Sequence, residues 1–234
     1  MSAHWWQQRL CAFDTESTGV DVFGDRIVSA AVIRCGGGKP TEIRTWLINP
    51  GVPIPDGASA IHGITTERAK AEGVAPAKAL LEIADELAAA VQDGEPLVIV
   101  NAPFDLSMLS AELQRLALEL PIGPAMVIDP LVLDKHVDKF RKGSRNLDAL
   151  AAHYNAKLDR AHDAASDAIT AARVAYRIGQ IYPAVGSIGL RDLQALQRDA
   201  YREQAQGLND YWIKKGDSRR VDSFEWPLRT ARAM

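Results

Sequence analysis

The chain has 234 residues, of which 47% are hydrophobic, 24% charged and 6% aromatic, a profile that excludes wholesale disorder, a collagen-like repeat and a disulfide-built miniprotein. Its 27 Lys and Arg against 30 Asp and Glu leave a formal charge of −3, so no global positive field marks it for a polyanion and any nucleic-acid contact must come from local patches. The two cysteines, Cys11 and Cys35, sit in apolar sequence and read as buried, reduced thiols rather than a zinc site or a disulfide.

Residues 1–10 lack the basic-then-apolar order of a signal peptide, and the longest strongly apolar run, residues 97–100, is far too short to span a bilayer. The expectation is a cytoplasmic protein with no membrane partner. Residues 10–13 and 27–33 are continuous apolar runs that read as strands, the second closed by Gly36-Gly37-Gly38. Residues 41–48 alternate polar and apolar, which completes a three-strand meander. After a loop rich in Pro and Gly over 49–57, residues 76–91 place Leu80, Ile83, Ala84 and Leu87 at helical spacing. Residues 97–100 predict a buried strand and 104–118 a helix marked by Leu106, Leu109, Leu113 and Leu116, together an α/β unit. Residues 126–128 form a short fifth strand; helices follow over 146–154 and 164–181, the latter stopped by Pro183. Residues 190–215, charged and sparsely apolar, predict a long surface helix. The chain therefore divides into a catalytic-sized α/β domain over 1–183 and a helical extension with a tail over 184–234.

Asp14 and Glu16 lie two residues apart at the end of the first strand, so alternation turns both to one face. Carboxylates converging there repel, and a divalent cation with a taste for hard oxygen ligands, Mg2+ or Mn2+, relieves the repulsion; solvated acids at a strand end are the other reading of the same pattern. Asp105 stands directly after a buried strand in the first turn of a helix begun by Pro103, where it reads either as a third ligand or as an acid favoured by the helix dipole. Asn101 is a cap or an orienting amide. His162 and Asp167, five residues apart, cannot share a helix face; both serve one site only if His162 precedes the helix, Asp163 caps it and Asp167 occupies its first turns, whereas a rival local reading uses Asp163 and Asp167, which at i and i+4 do share a face.

Together, Asp14-Thr15-Glu16-Ser17-Thr18-Gly19, Asn101-Ala102-Pro103-Phe104-Asp105 and His162-Asp163-Ala164-Ala165-Ser166-Asp167 resemble, in order, the motifs of the DEDDh 3′–5′ exonucleases, a group that includes the proofreading epsilon subunit of bacterial DNA polymerase III. Ile61-His62-Gly63-Ile64-Thr65, Ile128-Asp129-Pro130-Leu131 and Asn146-Leu147-Asp148-Ala149-Leu150 support the likeness, which covers residues 9–180. Ser17 stands where threonine is commoner, and Val100 where a histidine often precedes the asparagine. The resemblance implies a ribonuclease-H-like exonuclease fold, a five-strand mixed sheet flanked by helices. It further implies hydrolysis of the terminal phosphodiester at a nucleic-acid 3′ end by two divalent ions. By that pattern Asp14 bridges the ions, Glu16 and Asp167 hold one, Asp105 supports the other and His162 is the general base. Thr15, Thr18, His62, Asn101 and Phe104 border the substrate. DNA is the favoured polymer, with a DNA polymerase subunit as a candidate partner. An RNA 3′ exonuclease or a non-catalytic binding module remains compatible with the motifs.

Two basic stretches stand outside those motifs. Lys135, Lys139, Arg141, Lys142 and Arg145 against Asp138 suggest a patch that follows the substrate backbone or an ordinary solvated face. In the tail, Lys214, Lys215, Arg219 and Arg220, with Trp212, Phe224 and Trp226 as anchors, are compatible with docking on the domain, nucleic-acid binding or a partner.

Overall fold

The computed structural model describes residues 4–123, 125–157 and 163–230. Strands β1 (Arg9–Ser17), β2 (Ile27–Gly36) and β3 (Glu42–Leu47) form an antiparallel meander, and β4 (Leu97–Val98) and β5 (Val127–Ile128) extend it parallel to β1, in the order β3-β2-β1-β4-β5. The expected five-strand mixed sheet is therefore present. Gly36, Gly37 and Gly38 all take positive φ, which lets β2 reverse directly into β3.

Alternation along β1 sorts two cores. Cys11 and Phe13 face α3 (Pro76–Gln92) and α4 (Ala102–Arg115), whose Leu80, Ile83, Leu87, Leu106 and Leu109 are buried against them. Leu10 and Ala12 face the opposite layer, where α7 (Ala164–Ile181) presents Ala168, Ala171, Ala175 and Ile178. Small residues on that face let the helix lie close to the sheet. Four shorter helices complete the sequence-ordered set before α9: α1 (Asp56–His62), α2 (Thr66–Glu72), α5 (Pro130–Val137) and α6 (Leu147–His153), with α8 (Pro183–Gly186) a single turn after α7.

The structure departs from expectation at several elements. β1 runs on through Asp14 and Glu16, since its apolar run ends where the site begins rather than where the strand ends. Helices α1 and α2 occupy residues for which, beyond the loop expected to end at residue 57, the sequence predicts no element: Pro55 precedes α1, and Gly63 ends it at φ 72°, so the punctuating residues mark helix ends. Helix α5 takes up the start of the basic stretch. There Arg141 and Arg145 both pair with Asp134, which also accepts from the Tyr154 hydroxyl at 2.8 Å. Asp134 is fully buried and each arginine only 13% exposed. These two cations neutralise a core carboxylate, which removes them from any surface patch.

Helix α9 (Leu190–Lys214) is not merely a surface helix. It closes the β5 edge, a row of backbone groups that no further strand among the described residues pairs. Gln194 Oε1 accepts from Val127 N at 3.0 Å, Gln197 Oε1 accepts from Asp129 N at 2.7 Å, and both amide nitrogens donate to the Val127 carbonyl. The tail then returns over the domain: Trp226 is buried with its indole N–H toward Asp129 Oδ2 at 3.4 Å, and Arg229 N donates to Ser107 Oγ at 2.9 Å. Arg219 pairs with Asp217 and lies over the Trp212 ring at 5.1 Å. Of the three roles the tail sequence allowed, docking on the domain is the one observed. Among the described residues no helix is long and apolar enough to cross a membrane.

Because Gln197 is fully buried and replaces a strand partner, Gln197→Ala leaves backbone groups of β5 unsatisfied and is expected to lower unfolding free energy by about 1–3 kcal/mol. Urea denaturation measures it, and a loss below about 0.5 kcal/mol, the range of an ordinary surface substitution, rejects this account of the edge.

Candidate active site

The carboxyl end of β1 carries the site. Asp14 pairs across the ladder with Ala31 and Glu16 with Ser29, and both acids turn to the α7 side of the sheet, as alternation with Leu10 and Ala12 requires. Helix α7 begins there. Asp163 caps it, its carboxylate accepting from Ser166 N at 3.1 Å, and Asp167 follows one turn in. Ligand oxygens of Asp14, Glu16 and Asp167 all lie within 4.8 Å of one another.

Asp105 approaches from the other layer. It sits in the first turn of α4, 4% exposed, with Oδ1 accepting from both the amide of Thr15, at 3.0 Å, and its hydroxyl, at 2.6 Å. The turn that delivers it is held by Asp129, which is fully buried and whose two oxygens accept from Asn101 N and Ala102 N, each at 3.0 Å. Asp129 also caps α5, accepting from Leu131 N at 3.0 Å. Asn101 takes φ 60° and ψ 49°, a left-handed conformation that asparagine tolerates better than most residues.

The electrostatics follow from crowding. Burial, then the charges of Asp105, Asp167, Glu16 and Asp163, hold the Asp14 carboxyl well above the ordinary range. Glu16 is pushed up to about 7 by burial and by Asp167, Asp105 and Asp163. Asp105 is also raised to about 7 by burial, against the opposing effect of the hydrogen bonds from Thr15. A cluster of oxygen donors that resists ionisation on its own fits a divalent cation, whose charge replaces the protons. Asp14, Glu16 and Asp167 would hold it, with Asp105 beside them.

The remaining expected residues are placed as follows. Thr15 spends its hydroxyl on Asp105. The Thr18 hydroxyl donates to Asp25 Oδ1 at 2.7 Å and accepts from Arg26 N at 3.0 Å, which shapes the β1–β2 turn. Both hydroxyls thus make internal bonds. His62 ends α1, accepts from Ile64 N through Nδ1 at 3.1 Å, and with Asp163 borders a cleft of about 210 Å³. Phe104 packs half-buried against the α3–α4 core. The Asn101 side chain makes no capping bond. His162, the expected general base, lies outside the described residues. Asp163 adds a charge beside Asp14 as well as capping α7; Asp129 as the fixing point for the Asp105 turn is not evident from spacing, where the Asp-Pro step at 129–130 signals only a cap.

A mixed sheet with acids converging at one strand end from three elements defines a ribonuclease-H-like nuclease fold. Residues 11–175 match the sequence model of the exonuclease family, RNase_T, and the chain belongs to that family. It is 33% identical over 192 residues to a DNA polymerase III subunit epsilon-like protein of Rhodobacter capsulatus, a match that covers 79% of this chain and 25% of that protein. The DNA polymerase III subunit epsilon of Pasteurella multocida is 30% identical over 149 residues, 61% of this chain and 56% of the relative. The present chain thus spans between a quarter and little more than half of these relatives. The structure of E. coli exonuclease I in complex with a dA16 oligonucleotide superposes with a TM-score of 0.64 at 19% identity, over 84% of this chain and 44% of that one, a likeness of fold.

Raised carboxylates bind protons more tightly in the folded state than in the unfolded one, so their stabilising contribution is full below about pH 4 and is lost as pH rises through about 7. Metal-free protein is expected to lose thermal stability between about pH 5.5 and about pH 8, and Mg2+ or Mn2+ to raise Tm more at the higher pH, where no proton competes. Scanning calorimetry at both values checks this; an equal metal-induced shift at both contradicts the cluster as a cation site.

Proposed function

We propose that the chain is a metal-dependent 3′–5′ exonuclease that hydrolyses the terminal phosphodiester at a DNA 3′ end and releases 5′-mononucleotides. The carrying observation is the trio Asp14, Glu16 and Asp167, with oxygens within 4.8 Å of one another at the end of β1. A phosphodiester resists hydrolysis because its negative charge repels the nucleophile. Two divalent ions, Mg2+ or Mn2+, supply opposing positive charge when bound and make water nucleophilic near neutral pH. The protein's own part is positional. Asp14 and Glu16 are fixed by the β1–β2 ladder, Asp167 by the Asp163 cap, and Asp105 by Thr15. By the family's pattern His162 takes the proton from the attacking water, a role that suits an imidazole near pH 7. By the same pattern His62 and Phe104 would contact sugar or base, where an aromatic face accepts any base.

DNA as the polymer is supported by the names of the R. capsulatus and P. multocida relatives and by the oligonucleotide complex of exonuclease I. A DNA polymerase is the partner that the same relatives support.

The test is digestion of a 5′-labelled single-stranded DNA and its RNA twin with Mg2+ or Mn2+, beside EDTA controls. The expected result is a metal-dependent ladder that shortens from the 3′ end, stronger on DNA. Asp14→Ala and Asp167→Ala abolish it, and His162→Ala lowers the rate by about 10²–10⁴-fold while substrate binding persists. Wild-type turnover by Asp14→Ala overturns the assignment. Failure of the folded, metal-loaded protein to cut either polymer turns it toward a binding module.

A further inference from the structure

The end of the sheet opposite the carboxylates carries a second cavity. Leu10 precedes Asp14 by four residues, about 13 Å along the strand, and pairs with Cys35 at the close of β2. A pocket of about 350 Å³ opens there, its wall formed by Trp6, Leu10, Cys35, Ile169, Ala172 and Tyr176. It is preformed. The Trp6 ring lies against α7 at Gly179, where a Cβ would fall 2.4 Å from Trp6 Cδ1, and meets Tyr176 edge to face at 5.3 Å and 82°.

The rim is cationic. Lys157, Arg173 and Arg177 line the mouth, and among the described lining residues none is a carboxylate. The Arg177 guanidinium is held by neutral acceptors, the Tyr154 carbonyl at 3.1 Å through Nε and the Gln180 amide oxygen through Nη1. An aliphatic and aromatic wall beside a guanidinium rim selects a ligand that carries a bulky apolar group and carboxylates close together. An acidic peptide with an aromatic anchor has that chemistry. A nucleic-acid strand fits less well: His4 already stacks on Trp6 at 5.6 Å and 4°, and Tyr176 stands perpendicular to it, so Trp6 and Tyr176 offer no parallel pair to sandwich a base. The place also suits a partner rather than a substrate, since an occupant here leaves the carboxylate end of the sheet open.

We propose that this pocket docks an acidic segment of a partner protein, an aromatic side chain of that segment packing on Trp6 and Tyr176 while its carboxylates meet Arg177. The docking is independent of the nuclease reading and is tested on the full chain without reference to activity.

The probe is a fluorescein-labelled peptide, Glu-Asp-Glu-Phe-Asp-Glu, followed by fluorescence anisotropy and by amide chemical shifts of the labelled protein. Saturable binding is expected, with shifts at Cys35 to Gly37 and Ala172 to Arg177 and none at Thr15 or Asp167. Replacing Phe by Ser in the peptide, Tyr176→Ala, or Arg177→Glu each weakens binding at least about tenfold. A lysine-for-acid peptide regains affinity for Arg177→Glu over wild type, an outcome that misfolding of the variant would not produce. No binding up to about 1 mM peptide, equal binding of the Ser peptide, an unchanged affinity for Arg177→Glu, or shifts at the carboxylate end each overturn the proposal. So does a single-stranded oligonucleotide that displaces the peptide from the same amides, which gives the pocket to nucleic acid.

Discussion

Mutual repulsion among carboxylates at the end of β1 is the constraint around which the rest of the molecule is arranged. Two unit charges about 5 Å apart repel by roughly 3 kcal/mol at an effective dielectric of 20, and Asp14, Glu16 and Asp167 make three such pairs within 4.8 Å. Fully ionised and uncompensated, the cluster would consume an energy comparable to the whole stability of an ordinary domain, about 5–15 kcal/mol. The folded chain answers in two ways: protons remain on the cluster to higher pH, as the raised Glu16 and Asp105 carboxyls reflect, or a cation takes their place. A site that is costly without its ion is also one that binds the ion strongly, because binding removes the repulsion as well as forming new contacts.

Holding the acids in place then falls to elements whose own polarity suits negative charge. Asp105 and Asp167 both occupy the first turn of a helix, where the dipole and unpaired amides favour an acid by about 0.3–1 kcal/mol. That is small against the repulsion, so position is secured elsewhere: by the continuous ladder from Asp14 to Glu16, by the Asp163 cap and by the paired amide and hydroxyl of Thr15. The strand residue between the two acids thus fixes the third acid from the opposite layer, which explains a threonine with its hydroxyl turned away from the α7 face.

The sequence is legible where chemistry is local. Apolar runs locate β1, β2, β4 and β5 because those strands are buried, and alternation locates β3 although only its Trp46 is buried; the Asp163 cap followed by Asp167 is visible because capping depends on neighbours in the chain. What depends on distant partners is not. Arg141 and Arg145 look like surface charge until Asp134 is seen buried between them and Tyr154. Gln194 and Gln197 look like solvated positions of a polar helix, yet they complete the hydrogen bonding of β5. Helices α1 and α2 are too short, and too marked by Pro and Gly at their ends, for periodicity to reveal them. Within the site, the residue types were readable in order, whereas the use of the Thr15 and Thr18 hydroxyls for internal bonds was not, since a hydroxyl beside an acid has the same sequence whether it faces substrate or scaffold.

Asp129 shows why the segment after α7 is more than an appendage to the sheet. Its carboxylate fixes the turn before Asp105 through Asn101 and Ala102, begins α5 through Leu131, and faces the indole of Trp226 from the tail, while its own amide is held by Gln197 of α9. Burial raises its carboxyl and the converging N–H groups lower it, so its charge is tolerable only while those donors surround it. One of them, the Trp226 indole, comes from beyond residue 190, as does Gln197, whose Oε1 accepts from the Asp129 backbone N–H. The extension therefore covers the exposed edge of the sheet and, through the same carboxylate, closes the environment of the turn that carries Asp105. Edge protection and placement of an active-site acid are two consequences of a single buried charge.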